Sequence, residues 1–141
     1  MARYARYARC YGLNGLKRAK RKMIIGTGVD ITEVRRLRQA TEKWGDEFLN
    51  RVFTRRELVN AKTRGSWYQH LAGRFAAKEA VFKALGNKNL SWKDVEILND
   101  EDGKPKCLVL NNKGKDVEVH VSISHVKNYA VANAIITQKN R

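Results

Sequence analysis

Gly73-Arg-Phe-Ala-Ala-Lys-Glu-Ala-Val-Phe-Lys-Ala-Leu-Gly86 is the stretch on which the reading of this chain turns. Its spacing predicts one helix. Phe75, Phe82 and Leu85 recur near the helical repeat and can face a core. Glu79 and Lys83 are four apart, so they lie one turn from each other on another face. Arg74 and Lys78 add positive charge at the start of that face. A carboxylate among three cations suits a site for a metal-bound phosphate ester. A solvated ion pair on an amphipathic helix is the commoner source of such a pattern, and this segment alone leaves both readings open.

Working toward the N-terminus, Met23-Ile-Ile-Gly-Thr-Gly-Val-Asp-Ile-Thr32 reads as a short buried strand ending in a turn, with its glycines as interruptions. Asp30 stands between Val29 and Ile31. An acid in an apolar run is costly unless it is paired or holds a cation, so Asp30 is either a ligand or an N-cap competing with Thr32. Glu33 to Trp44 predicts a helix with Val34, Leu37, Thr41 and Trp44 on one face. Arg35, Arg36, Arg38 and Lys43 lie mainly off that face, as a solvated side or as a dock for an acidic helix. Gly45 ends this helix, a short one follows over Glu47–Val52, and Thr54-Arg-Arg-Glu57 has capping-box spacing for a third. Gly65–Gln69 is expected to be a loop.

Beyond Gly86 the period changes. Val95–Leu98 and Lys106–Leu110 read as strands around the turn-rich Asn99-Asp-Glu-Asp-Gly-Lys-Pro105. Asn111-Asn-Lys-Gly114 is expected to be a hairpin turn. Val117, Val119, Val121 and Ile123 then alternate with Glu118, His120, Ser122 and Ser124, one face buried and one polar. Ala130–Ile136 closes the chain as an apolar strand. A helical first half followed by antiparallel strands is an α+β arrangement. His125, at the end of the alternating strand beside Ser122 and Ser124, either contacts a phosphate or turns a corner. Gly26-Thr-Gly28 alone does not make a nucleotide loop, and no P-loop is present.

The 141 residues suit one domain, and their formal charge is +15. Residues 1–22 hold eight Lys or Arg and no acid, including the triplet repeat Ala-Arg-Tyr; removing these eight from the 29 basic residues leaves 21 against 14 acids, or +7. We read 1–22 as a basic extension, disordered or non-native, or else a basic arm for nucleic acid or an acidic surface. The domain then runs over 23–141. The positive remainder favours an acidic partner or a phosphate-rich ligand. No apolar run is long enough to span a bilayer. Cys10 and Cys107 form no framework, and Cys107 reads as a packed small residue in a reduced compartment.

In order along the chain stand Gly28-Val-Asp30-Ile, Arg74-Phe-Ala-Ala-Lys-Glu79-Ala-x-x-Lys83-Ala-x-Gly86, Trp92-x-Asp-x-Glu-Ile, Gly103-Lys-Pro105 and Val121-Ser-Ile-Ser-His125. This set resembles the holo-[acyl-carrier-protein] synthase family of 4'-phosphopantetheinyl transferases, from about Met23 to about Ile136. The resemblance implies the α+β fold of that family and a cytoplasmic, Mg2+-dependent enzyme of fatty-acid biosynthesis. Such an enzyme moves the phosphopantetheine arm of coenzyme A onto a serine of an acidic acyl carrier protein and releases adenosine 3',5'-bisphosphate. It further implies that Asp30 and Glu79 hold the metal, that Glu79, directly or through a metal-bound water, accepts the serine proton and that Lys83 stabilises the departing phosphate. Arg74, Pro105 and His125 would line the coenzyme A site. Arg35, Arg36 and Lys43 would dock the carrier protein, and the active sites would lie between subunits of a homotrimer. The family's usual Gly-Thr-Gly loop after Gly86 is replaced here by Asn87-Lys-Asn-Leu-Ser91, where Lys88 can substitute by charge. Asp46 falls in a region often basic in relatives. Two other readings remain: a basic nucleic-acid-binding module, or a catalytically weakened relative.

Overall fold

A computed structural model of the protein describes residues 22–86 and 89–139. The basic extension, apart from Lys22, lies outside the described residues, as do Asn87 and Lys88. The chain runs β1 (Ile24–Glu33), α1 (Val34–Val52), α2 (Arg55–Lys62), α3 (Trp67–Leu85), β2 (Val95–Asn99), β3 (Pro105–Val109), β4 (Val117–His125) and β5 (Tyr129–Gln138). The α+β reading holds. Strands β1, β5 and β4 form one antiparallel sheet in that order, and β2 and β3 pair separately. Ala130, Ala132, Ala134 and Ile136 of central β5 face α3, and small residues in the middle strand let the helix settle onto it.

β1 is longer than expected and is not buried on both sides. Its glycines are close-packing positions rather than a turn. A Cβ on Gly28 would stand 2.0 Å from the Ala80 carbonyl oxygen, and one on Gly26 2.0 Å from that of Ala84. Gly26, Gly28, Asp30 and Thr32 share one face of the strand, and Ala80 and Ala84 share one face of the helix. Ile25, Val29 and Ile31 point the other way, and Ile31 is 67% exposed. Asp30 and Thr32 stay within β1, where the Thr32 hydroxyl donates to Asp30 Oδ2 at 3.0 Å. The N-cap of α1 is Glu33, without a side-chain cap, so neither residue caps the helix.

α3 begins at Trp67, earlier than the expected loop allows, and is buried on nearly every side rather than amphipathic. Ala76, Ala77, Ala80, Val81 and Leu85 pack on the sheet. Leu71 and Ala72 meet Leu37, Leu49, Val52 and Phe53 of the α1–α2 layer. Phe75 and Phe82 are half-buried and flank Trp92, with ring centroids 4.9 and 5.0 Å away. Lys78 is not on the Glu79 face at all. It is fully buried, pairs with Glu57 at 2.8 Å and donates to the carbonyls of Val52 and Trp92. One residue of helix is a rotation of ~100°, enough to send neighbouring side chains into different layers.

Gly45, with φ 51°, breaks α1 where expected. Trp44, expected on the core face, is instead 53% exposed, because it lies at that break, its ring tilted 44° to that of Phe48. The Thr54–Glu57 capping box forms. Asn111 and Asn112 do not close a hairpin. Both take left-handed φ values, 57° and 60°, and carry the chain from the β2–β3 pair to the larger sheet. Cys107 is half-buried in β3, where burial pushes its thiol up to about 12, as suits a packed residue.

Candidate active site

The close contact of β1 with α3 sets the site. Gly26 opposes Ala84 and Gly28 opposes Ala80, so strand and helix run in opposite directions. Two residues further along the same strand face, Asp30 arrives beside Glu79. Both carboxylates line a cavity of about 380 Å³ with Thr32, Glu33, Arg36 and Phe75 among its walls. Burial, and then the nearby Asp30 charge, push the Glu79 carboxyl above its ordinary value, with Lys83 opposing. Lys83 Nζ donates to the Val29 carbonyl at 2.9 Å and to Asp30 Oδ1 at 3.0 Å. Its recorded partner is therefore Asp30, across the strand–helix contact, rather than Glu79 one turn away.

Two carboxylates held together, with one half-exposed lysine between them and the solvent, leave negative charge for a cation to neutralise. Among the described residues there is no group of three or more His, Cys, Asp or Glu side chains that could hold a metal by themselves. That donor set fits a hard divalent ion that keeps waters and takes further oxygens from a phosphate ligand. It does not fit a soft or closed structural metal site.

A second cleft, of about 160 Å³, lies further up α3. Its walls include His70, Arg74, Asn99, Pro105 and His125, and no acidic residue. Arg74, Pro105 and His125 thus come together, although they are 51 positions apart in sequence. Arg74 does not share the Glu79 face, contrary to the helical-face expectation. It is 4% exposed and turns toward α2 and β2, where Nη2 donates to Asn60 Oδ1 at 2.6 Å and Asn99 Oδ1 at 2.9 Å. Its Nε is buried without a partner. Burial lowers the Arg74 pKa, with the Glu57 charge opposing and Arg64 adding to the shift. The hydrogen-bond partners of Arg74 are neutral amides and a carbonyl, and the carboxylate nearest in effect, Glu57, is already paired with Lys78.

Arg35, Arg36 and Lys43 are exposed along α1. Arg36 stands on the rim of the Asp30–Glu79 cavity. Arg35 pairs with Glu33 at 3.1 Å, and Lys43 lies 4.8 Å above the Trp44 ring. His70 carried no sequence motif; its only sequence signal is its place one turn before Arg74.

These features define an α+β protein with a paired-carboxylate cavity and a neighbouring cleft lined by no acid, both on one helix. The profile of the 4'-phosphopantetheinyl transferase superfamily matches residues 26–134, and the chain belongs to that family. It is 46% identical over 116 residues to the holo-[acyl-carrier-protein] synthase of Thermodesulfovibrio yellowstonii, covering 82% of this chain and 100% of that protein. It is 46% identical over 119 residues to the protein of the same name from Protochlamydia amoebophila, covering 80% and 98%. The crystal structure of the Bacillus anthracis holo-(acyl-carrier-protein) synthase in complex with CoA (3',5'-ADP) superposes with a TM-score of 0.72. The two are 39% identical, with 83% of this chain and 99% of that one covered.

Proposed function

We propose that this protein is a holo-[acyl-carrier-protein] synthase, which transfers 4'-phosphopantetheine from coenzyme A to a serine of apo acyl carrier protein. The observation that carries the reading is the pairing of Asp30 and Glu79 in one cavity, with Lys83 on Asp30, next to the acid-free cleft of Arg74, Pro105 and His125. Asp30 and Glu79 would hold Mg2+, which supplies neutralisation of charge on the pyrophosphate. Glu79, which lines the cavity, accepts the proton of the serine hydroxyl. The serine oxygen forms a bond to the phosphorus bearing the pantetheine arm, and the bond to the bridging oxygen breaks. Lys83 turns its ammonium to the departing phosphate, whose charge ends on adenosine 3',5'-bisphosphate. Arg74, Pro105 and His125 bind the nucleotide portion of coenzyme A.

In this reading the transferase domain spans 23–141, and residues 1–22 are a basic extension to it. Arg35, Arg36 and Lys43, exposed beside the cavity, dock the acidic carrier protein through long-range attraction. The uncovered apolar face of β1 and β5, with Val29, Ile31, Tyr129 and Val131 all exposed, supports assembly as a homotrimer. No helix among the described residues is long and apolar enough to cross a membrane. We place the enzyme in the cytoplasm, in support of fatty-acid biosynthesis.

The test is intact-mass spectrometry of several apo acyl carrier proteins incubated with the protein, coenzyme A and Mg2+. A gain of one phosphopantetheine per carrier, lost on chelation of Mg2+, is the expected result. No mass gain on any carrier overturns the assignment.

A further inference from the structure

The acid-free cleft carries a group that the proposed chemistry leaves unused. His70 lies on α3 one turn before Arg74, and its ring meets the His125 ring edge-on, with 5.8 Å between centroids and 67° between planes. His70, Arg74 and His125 all line the same cleft, and no acid lines it. The groups come from two elements that pack together, α3 and β4. The Arg74 guanidinium adds a buried Nε–H with no acceptor, and its Nη1 reaches the His70 carbonyl only at 3.5 Å. One small space is therefore lined by an arginine and two imidazoles.

We propose that His70 is a phosphate-binding residue of this cleft, and that binding of a terminal phosphate monoester there draws a proton onto His70. The proposal rests on the transferase reading, in which coenzyme A supplies that monoester at the 3' position of its ribose. The charged and titratable groups facing His70 are Arg74 on its own helix, Arg64 from the preceding turn and His125 on β4. Burial first, and then these neighbours, hold the His70 imidazole below its ordinary value, so the free cleft keeps it neutral at neutral pH. A phosphate placed among the same groups offsets their positive field at the imidazole. The imidazole then gains from being protonated and donating to a phosphate oxygen.

The experiment is calorimetric titration of the full chain with adenosine 3',5'-bisphosphate, repeated near pH 6 and pH 8 in two buffers of different ionisation enthalpy. Adenosine 5'-monophosphate, which lacks the 3' monoester, is the control ligand. His70→Gln is expected to weaken the bisphosphate about tenfold near pH 6 and much less near pH 8. It should also take up less of a proton on binding than wild type, while leaving the monophosphate affinity within about twofold. His70→Lys, with a permanent charge, should hold its affinity at both pH values. If wild type binds the bisphosphate and His70→Gln matches it in affinity and proton uptake, the proposal is overturned and the transferase reading stands. Equal weakening of both nucleotides also overturns it, since His70 would then only shape the cleft. If wild type fails to bind the bisphosphate, the transferase reading itself is lost.

Discussion

Two lysines five residues apart on α3 sit in ion pairs of nearly equal length, 2.8 Å for Lys78–Glu57 and 3.0 Å for Lys83–Asp30. Their surroundings differ completely. Lys78 and Glu57 are fully buried, and every polar atom between them is engaged: Glu57 also accepts from the backbone amides of Thr54 and Ile97, and Lys78 donates to two carbonyls. Lys83 is 53% exposed, and Asp30 borders an open cavity. The first pair ties α3 to α2 and β2, and the second leaves its charges available to a ligand. Proximity of opposite charges thus says little about role; solvent access and spare hydrogen-bonding capacity decide it.

The largest effects should come from breaking the buried pair. Glu57→Gln leaves an uncompensated ammonium inside the protein and is expected to cost about 3–5 kcal/mol in urea denaturation. Lys83→Met should show the opposite profile. Transfer to the carrier protein falls about a hundredfold or more, while stability changes by less than ~1 kcal/mol. If Lys83→Met unfolds the protein instead, the distinction between the two lysines fails.

Gly28→Ala probes what lies between the pairs. The added methyl meets the Ala80 carbonyl, so β1 and α3 must separate, at a cost of about 1–3 kcal/mol. Because the same contact brings Asp30 to Glu79, transfer activity should fall further than stability alone explains, as a raised Mg2+ requirement in the mass assay.

The smallest stability effect concerns Glu79. Its carboxyl is raised in the folded protein by burial and by Asp30, so the folded state holds the proton more tightly than the unfolded chain. Ionised Glu79 therefore costs stability once the pH rises above the unfolded value of about 4.3, and fully so above the folded value. Without Mg2+, Glu79→Gln is expected to raise the melting temperature by about 1–3 °C near pH 7. That gain should vanish as the pH is lowered toward 4, while transfer at pH 7 is abolished. A melting temperature that drops instead would show that Asp30 and Glu79 do not repel.

Much of this was readable in the residues themselves. The alternation of Val117–Ile123, the Thr54–Glu57 capping box and the break at Gly45 are local signals, set by side-chain period, a reciprocal cap and a left-handed backbone angle. Asp30, Glu79 and Lys83 stood out because charged groups in apolar or helical context need partners. Other features were not readable locally. Trp44 looked like a core residue by period, yet the break beside it turns it outward. Asn111-Asn-Lys-Gly114 looked like a hairpin turn, yet its flanking strands pair with different partners. Lys78 looked like a surface cation, and His70 like nothing in particular.

By itself, the sequence determined the kinds of element, their order and the handful of carboxylates and cations able to carry chemistry, because period and composition act over a few residues. Only the tertiary structure decided which of those charges are used inside and which outward. Gly26 and Gly28 let α3 approach β1 to backbone contact, and that approach places Asp30 at Glu79. The buried Glu57 claims Lys78, and the packing of β4 on α3 sets His125 against His70 and Arg74. Such assignments depend on which groups lose water together, and that is settled only when distant segments pack.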